Sequence, residues 1–163
     1  MLRVAAVATN SIGAHLGLRP GDELVAINGR ELADFLDWEF LAADDAFRLD
    51  TRTAFGQAKS YDVQRSDGVP LGVALEPPKV RRCSNRCDFC FVDGNPEGAR
   101  KSLLIRDDDY RLSFRYGNFA TLSNLKDKDV RRILEYRLSP LYVSVHATDP
   151  EIRRRVLRNG KAP

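Results

Sequence analysis

The chain opens on short apolar runs broken by turn residues. Val4–Ala8 reads as a strand, Asn10–Gly17 as a short helix, and Leu24 to Asn28 as a second strand, where Leu24 and Ala26 alternate with Val25 and Ile27. Pro20-Gly21 and Asn28-Gly29 supply the turns, because Pro presets φ and Gly or Asn tolerates positive φ. A helix follows over Phe35–Ala43, then strands over Phe47–Thr53 and Ser60–Arg65. Trp38 and Phe40 on that helix read as core or interdomain contacts, and His15 as a surface helix residue. Further along, Asp107–Phe114 reads as a helix with three acidic residues at its N-terminus, where they oppose the helix dipole. Phe119–Asn124 reads as a strand. Asp127–Leu138 carries Val130, Ile133, Leu134 and Leu138 at the spacing of one buried helical face, and Pro140 closes it. Leu141–His146 is the next strand. Thr148-Asp-Pro-Glu151 has the form of a capping box for a last helix, Glu151–Arg158, stopped by Asn159-Gly160.

The rhythm changes near residue 78. Strands alternating with helices after residue 79 imply parallel βαβ units, whereas the earlier part reads as α+β. Charge changes there too: residues 1–78 hold 7 basic and 12 acidic side chains, and residues 79–163 hold 19 and 11, so −5 stands against +8. The Pro77-Pro78 pair blocks continuation of a helix or sheet. Two domains follow, 1–78 and 79–163. The basic half would attract an anionic partner such as RNA, although no recognisable RNA-binding motif supports one. With 43% hydrophobic and 30% charged residues the chain is a folded protein and not a disordered tract. No apolar run approaches the roughly 20 residues of a membrane span, and nothing reads as a signal peptide. A cytoplasmic location without a membrane partner is expected.

All three cysteines fall within the eight residues CSNRCDFC, as Cys83, Cys87 and Cys90. An odd number crowded so closely argues for a metal site rather than a disulfide framework. Spacings of three and two let a loop hold soft thiolates around an iron–sulfur cube, each on a different iron, with one iron left without a protein ligand. Arg81, Arg82 and Arg86 would stabilise the thiolates. A zinc site built from the three cysteines and His146 is the alternative, although no second cysteine knuckle is present.

Cys-x3-Cys-x2-Cys with Phe89 immediately before the third cysteine resembles the signature of radical S-adenosylmethionine (radical SAM) enzymes. The resemblance implies a [4Fe–4S] cluster on Cys83, Cys87 and Cys90, with S-adenosylmethionine chelated at the open iron and Phe89 near its adenine. It further implies reductive cleavage to a 5′-deoxyadenosyl radical. If the two later strands belong to a β/α barrel, alternation puts Thr121 and Ser123 on one face and Ser144 and His146 on one face, with Ala120, Leu122, Val143 and Val145 opposite. Sites in barrels form at the C-terminal strand ends, so Ser123, Asn124, Ser144 and His146 are expected to contact S-adenosylmethionine.

GLRPGDELVAING closely resembles the corresponding stretch of PDZ domains, in the order of the circularly permuted bacterial form. Phe35–Ala43 would be the helix of the peptide groove. Pro70-Leu71-Gly72-Val73 would stand at the carboxylate-binding loop, so that a peptide C-terminus is an expected partner. CDFCFVDGNPEG, RDDDYRLSFRYGNFATLSNL and RLSPLYVSVHATDPEIRRRVLRN together resemble bacterial proteins joining a PDZ-like domain, a radical SAM core and a further C-terminal domain. About three β/α units fit after residue 79 against the eight of a closed barrel. The expectation is therefore an incomplete (β/α) radical SAM barrel from the front of a longer enzyme, with an exposed apolar edge at Leu141–Val145. The competing expectation is a peptide-binding scaffold with a structural or vestigial metal site.

Overall fold

A computed structural model describes residues 2–66 and 68–162. The chain divides into two compact units, Met1–Pro78 and Lys79–Pro163.

The first unit is built on an antiparallel sheet. Its strands are β1 (Leu2–Val7), β2 (Glu23–Ile27), β3 (Arg30–Glu31), β4 (Ala46–Arg52), β5 (Ala58–Gln64) and β6 (Val73–Leu75), with helices α1 (Ile12–His15) and α2 (Phe35–Leu41). The order is β5-β4-β2-β1-β6, and β3 pairs with β2. Period-two alternation explains the ladder between β4 and β5: Phe47, Leu49 and Thr51 are buried while Ala46, Arg48 and Arg52 are exposed. Leu49 is matched to Tyr61 and Phe47 to Val63. Val4, Leu24, Ile27, Leu36, Leu49 and Val63 form the innermost core.

Local chemistry sets the turns. Asn28 and Gly29 both have positive φ, 50° and 77°, which is what a two-residue hairpin from β2 to β3 requires. The Asp22 carboxylate accepts the backbone N–H groups of Arg19 and Ala54, tying the Pro20-Gly21 turn to the β4–β5 hairpin. Asp34 and Asp37 form a reciprocal capping box at the start of α2. The α2 residues in the core are Phe35 and Leu36. Trp38 is half-buried and Phe40 is 37% exposed, so neither sits deep in the core of this unit. His15 is exposed at the end of α1, as expected.

The second unit has little regular structure apart from its helices α3 (Tyr110–Tyr116), α4 (Asp127–Glu135) and α5 (Pro150–Leu157) and a 3-10 turn at Lys101–Leu104. About half of its buried positions are polar, namely Asn85, Asp108, Asp109, Arg111, Ser113, Ser123, Asp129 and Arg153, beside apolar ones such as Tyr110, Leu112, Leu138 and Leu157.

The two strands expected at Phe119–Asn124 and Leu141–His146 are reduced to one parallel bridge, Ala120 to Val143, with Ser144 N–H donating to the Ala120 carbonyl at 2.9 Å. Two buried charged side chains take the backbone groups that a ladder would use. The Asp108 carboxylate accepts the N–H groups of Thr121, Leu122 and Ser123 at 2.6, 3.0 and 3.2 Å, and Leu122 turns to φ 57°. The Arg153 guanidinium, from α5, donates to the carbonyls of Thr121, Ser144 and Val145. Of the apolar residues expected on the opposite faces, Ala120 is buried, whereas Val143 and Val145 are exposed.

Helix boundaries moved for related reasons. α3 starts at Tyr110, not Asp107, because Asp109 is the residue whose carboxylate caps Arg111 N–H, while Asp107 pairs with Arg82 across an antiparallel bridge. α4 stops at Glu135, before a left-handed Arg137. Its expected buried face is only partly covered: Leu138 is 4% exposed and Ile133 half-buried, but Val130 is 44% and Leu134 70% exposed. α5 is capped by Asp149, which accepts from Glu151 and Ile152, and not by Thr148. Tyr142, Val143 and Val145 carry the apolar exposure expected of the Leu141–Val145 segment.

Candidate metal and cofactor site

The segment from Cys83 to Gly98 is a run of turns held at three points. Cys83 N–H donates to the Arg106 carbonyl, Arg86 N–H to the Leu157 carbonyl at the end of α5, and Cys90 N–H to the Cys87 carbonyl. Between the first two cysteines, Asn85 is 2% exposed. Its amide donates to Thr121 Oγ1 at 2.9 Å, and its Oδ1 lies 2.9 Å from Ser123 Oγ and accepts from Asn159 Nδ2 at 2.7 Å. Its backbone carbonyl accepts from Arg106 Nη2 at 2.6 Å. One side chain thus fastens the cysteine loop to the segment after α3 and to the end of α5. Nothing in the sequence distinguishes Asn85 from an ordinary loop asparagine.

Cys83, Cys87 and Cys90 are all free thiols, part-exposed, on the wall of one cavity of about 130 Å³. Phe89, Phe91, Val92 and Phe119 give that wall its apolar character, and Asn85, Arg106, Asp107, Thr121, Ser144 and His146 its polar groups. Burial pushes the Cys83 and Cys87 thiols up from their ordinary value, and Arg106 is the basic side chain that opposes the shift. The expected cations Arg81, Arg82 and Arg86 do other things. Arg81 pairs with Asp129 at 2.7 Å and lies over the Tyr110 ring, while Arg82 and Arg86 are exposed.

Phe89, Ser144 and His146 come together in this cavity, and the Phe89 and His146 rings meet at 4.9 Å between centroids. Ser123 and Asn124 lie elsewhere. Ser123 Oγ is 2.9 Å from the Asp108 carboxylate, and Asn124 Nδ2 donates to the Asp108 carbonyl at 2.8 Å. Both belong to the polar knot around Asp108 and are not in the cavity lining. Asp107, Arg106, Asn85 and Phe119 are the lining residues that sequence reasoning missed. The three consecutive aspartates were a usable signal, since a helix needs only one as its cap and the others are free for different work.

Among the described residues, no three His, Cys, Asp or Glu side chains converge where one metal ion could sit. The donor set nevertheless fits a cluster chemically. Three soft, unpaired thiols share one partly desolvated wall, and each ligand of a cube binds its own iron rather than a common ion.

The first unit holds a second concavity, about 550 Å³, between α2, β1 and the residues leading into β6. Ala6, Val7, Trp38, Ala42, Leu71 and Val73 are among its lining residues. Gly72 has φ 72° and no room for a side chain, since a Cβ there would meet Ser11 at 2.3 Å.

Residues 65–163 match the family model described as a Radical SAM-like domain. Residues 3–53 match the model described as a PDZ domain. No curated protein matches the chain.

Proposed function

This chain belongs to the Radical SAM-like domain family, and from that premise we propose that it is part of an iron–sulfur enzyme that cleaves S-adenosylmethionine reductively. The observation that carries the proposal is the convergence of Cys83, Cys87 and Cys90 with Phe89 and His146 on one cavity wall. The three cysteines would hold a [4Fe–4S] cluster. When bound, a reduced cluster of this kind supplies one electron to the sulfonium of S-adenosylmethionine, releasing methionine and a 5′-deoxyadenosyl radical.

The residues of the chain contribute position and environment. Phe89 and His146 form an aromatic pair against which an adenine would pack, and Ser144 adds a polar contact. Phe91, Val92 and Phe119 give the wall beside the sulfur atoms its apolar character. Asn85 holds the loop, and Ser123 and Asn124 act behind the wall by bracing the Asp108 knot. A cavity of about 130 Å³ is small beside the roughly 300–1,000 Å³ of ordinary ligand pockets, which supports an incomplete barrel whose further β/α units would finish the site. The open apolar face at Val130 and Leu134 supports the same reading. No helix among the described residues is long and apolar enough to cross a membrane. Three cysteines left as free thiols support a reducing, cytoplasmic location.

A second reading concerns the PDZ unit. β1 lies inside the sheet, between β2 and β6, which supports a circularly permuted strand order. The groove beside Trp38 and Leu71 and the free edge of β6 support binding of a peptide C-terminus by strand addition.

Both readings are tested by anaerobic spectroscopy and peptide titration on the same preparation. The reduced, reconstituted protein is expected to show a cluster EPR signal that changes when S-adenosylmethionine is added. A signal that does not respond would remove the S-adenosylmethionine assignment. Binding of C-terminal peptides by a preparation that takes up no iron would favour the scaffold.

A further inference from the structure

Arg106 occupies an unusual position relative to the cysteines. Its backbone carbonyl accepts Cys83 N–H at 2.9 Å. Its Nη2 donates to the carbonyl of Asn85, inside the first cysteine interval, at 2.6 Å. Its Nη1 is 3.3 Å from the Asp93 carboxylate, beyond the last cysteine. The guanidinium therefore clasps both ends of the segment that carries Cys87 and Cys90, while the backbone carbonyl of the same residue holds Cys83. The residue also lines the cavity with those thiols, and its Nε is buried without a hydrogen-bond partner. A buried N–H left unmatched is unfavourable. The site carries that cost unless a further acceptor arrives, and sulfur ligands or a bound anion are the acceptors this cavity would offer.

Three thiolates bring negative charge to a partly desolvated wall, and a fixed cation beside them lowers the energy of the more negative state. We infer that Arg106 is the positioning and charge-compensating residue of the cysteine loop, raising the reduction potential of a cluster bound there. The inference rests on the cluster reading above. Potentials of such clusters respond to net charge and to hydrogen bonds near sulfur, so the role is measurable apart from turnover. Asp93, 57% exposed on its side chain, partly neutralises Arg106 and gives a control of opposite sign.

The test is an EPR-monitored redox titration of anaerobically reconstituted full chains. Arg106→Gln should shift the midpoint to more negative potential, Arg106→Lys should restore most of it, and Asp93→Asn should shift it to more positive potential. Loosening of the loop alone would not give shifts of opposite sign. If Arg106→Gln does not load iron, the Asp93→Asn arm decides alone. An unchanged or more negative midpoint in Asp93→Asn, or an unchanged midpoint in a loaded Arg106→Gln, overturns the inference. Wild-type protein that takes up no cluster sinks the reading beneath it instead.

Discussion

The first unit buries mainly leucine, valine and phenylalanine around a regular antiparallel sheet, whereas the second buries aspartate, asparagine, serine and arginine in about equal number with apolar residues and leaves many apolar side chains in solvent. The difference is one of what carries each fold. In the first, apolar area removed from water does most of the work, at about 25 cal/mol per Å². In the second, Asp108, Asp109 and Arg153 act as hubs, each satisfying several backbone or side-chain groups from distant segments. The loop that presents the three thiols is neither strand nor helix, and the polar knot behind it fixes its path without regular structure. Such a knot is high-stakes, because every partner it satisfies becomes a cost when it is removed.

That contrast can be broken most forcefully at Asp108. Asp108→Ala would orphan three N–H groups and take one acceptor from two hydroxyls at once, and is expected to cost about 3–5 kcal/mol, the range for breaking a buried charged network. Hydrogen exchange should show protection lost in residues 79–162 and kept in the sheet of the first unit. Leu49→Ala is the counterpart. Leu49 is 0% exposed, so a cavity cost of about 2–5 kcal/mol should fall on the first unit alone. Equal loss of protection in both units from either variant would erase the distinction.

Acid should separate the units next. Burial acts to raise Asp109, but the hydrogen bonds and charge of Arg111 and the Arg81 N–H outweigh it and hold the carboxyl below its ordinary value. In Asp129, burial is likewise outweighed by Arg81 and the Lys126 N–H. A carboxyl depressed in the folded state contributes stability fully above its unfolded pKa, about 3.9, and that contribution is lost as pH falls through the lower folded value. Exchange protection in the second unit should therefore decline from about pH 4 downward, and Asp129→Asn should flatten the decline. The smallest effect is expected at Leu134→Lys. At 70% exposure it should change stability by only about 0.5 kcal/mol, while reducing self-association in light scattering. A larger loss would mean that the face of α4 is covered.

The same contrast explains which parts were legible in the sequence. Alternation and Asn28-Gly29 placed β1, β2, β4, β5 and α2 of the first unit within about two residues, because local propensity and burial agree there, whereas the short strands β3 and β6 were not read. The cysteine loop was legible from spacing alone. The strands at Phe119–Asn124 and Leu141–His146 were misread because alternation reports side-chain faces, not where backbone groups find partners. Asp108 lies 13 residues from Thr121, and Arg153 lies 32 from it, so their claims on that backbone are long-range. Asn85 was missed for the same reason. Three of the five expected cofactor contacts, Phe89, Ser144 and His146, share the cavity, and the other two were drawn into the Asp108 knot.

The central claim is that Cys83, Cys87 and Cys90 together ligate an iron–sulfur cube, and counting iron and acid-labile sulfide per chain after anaerobic reconstitution tests it most directly. The account predicts about four of each in the wild type and a near-complete loss in Cys87→Ala with the first unit still folded. Stoichiometric zinc, or iron that Cys87→Ala retains in full, would contradict it.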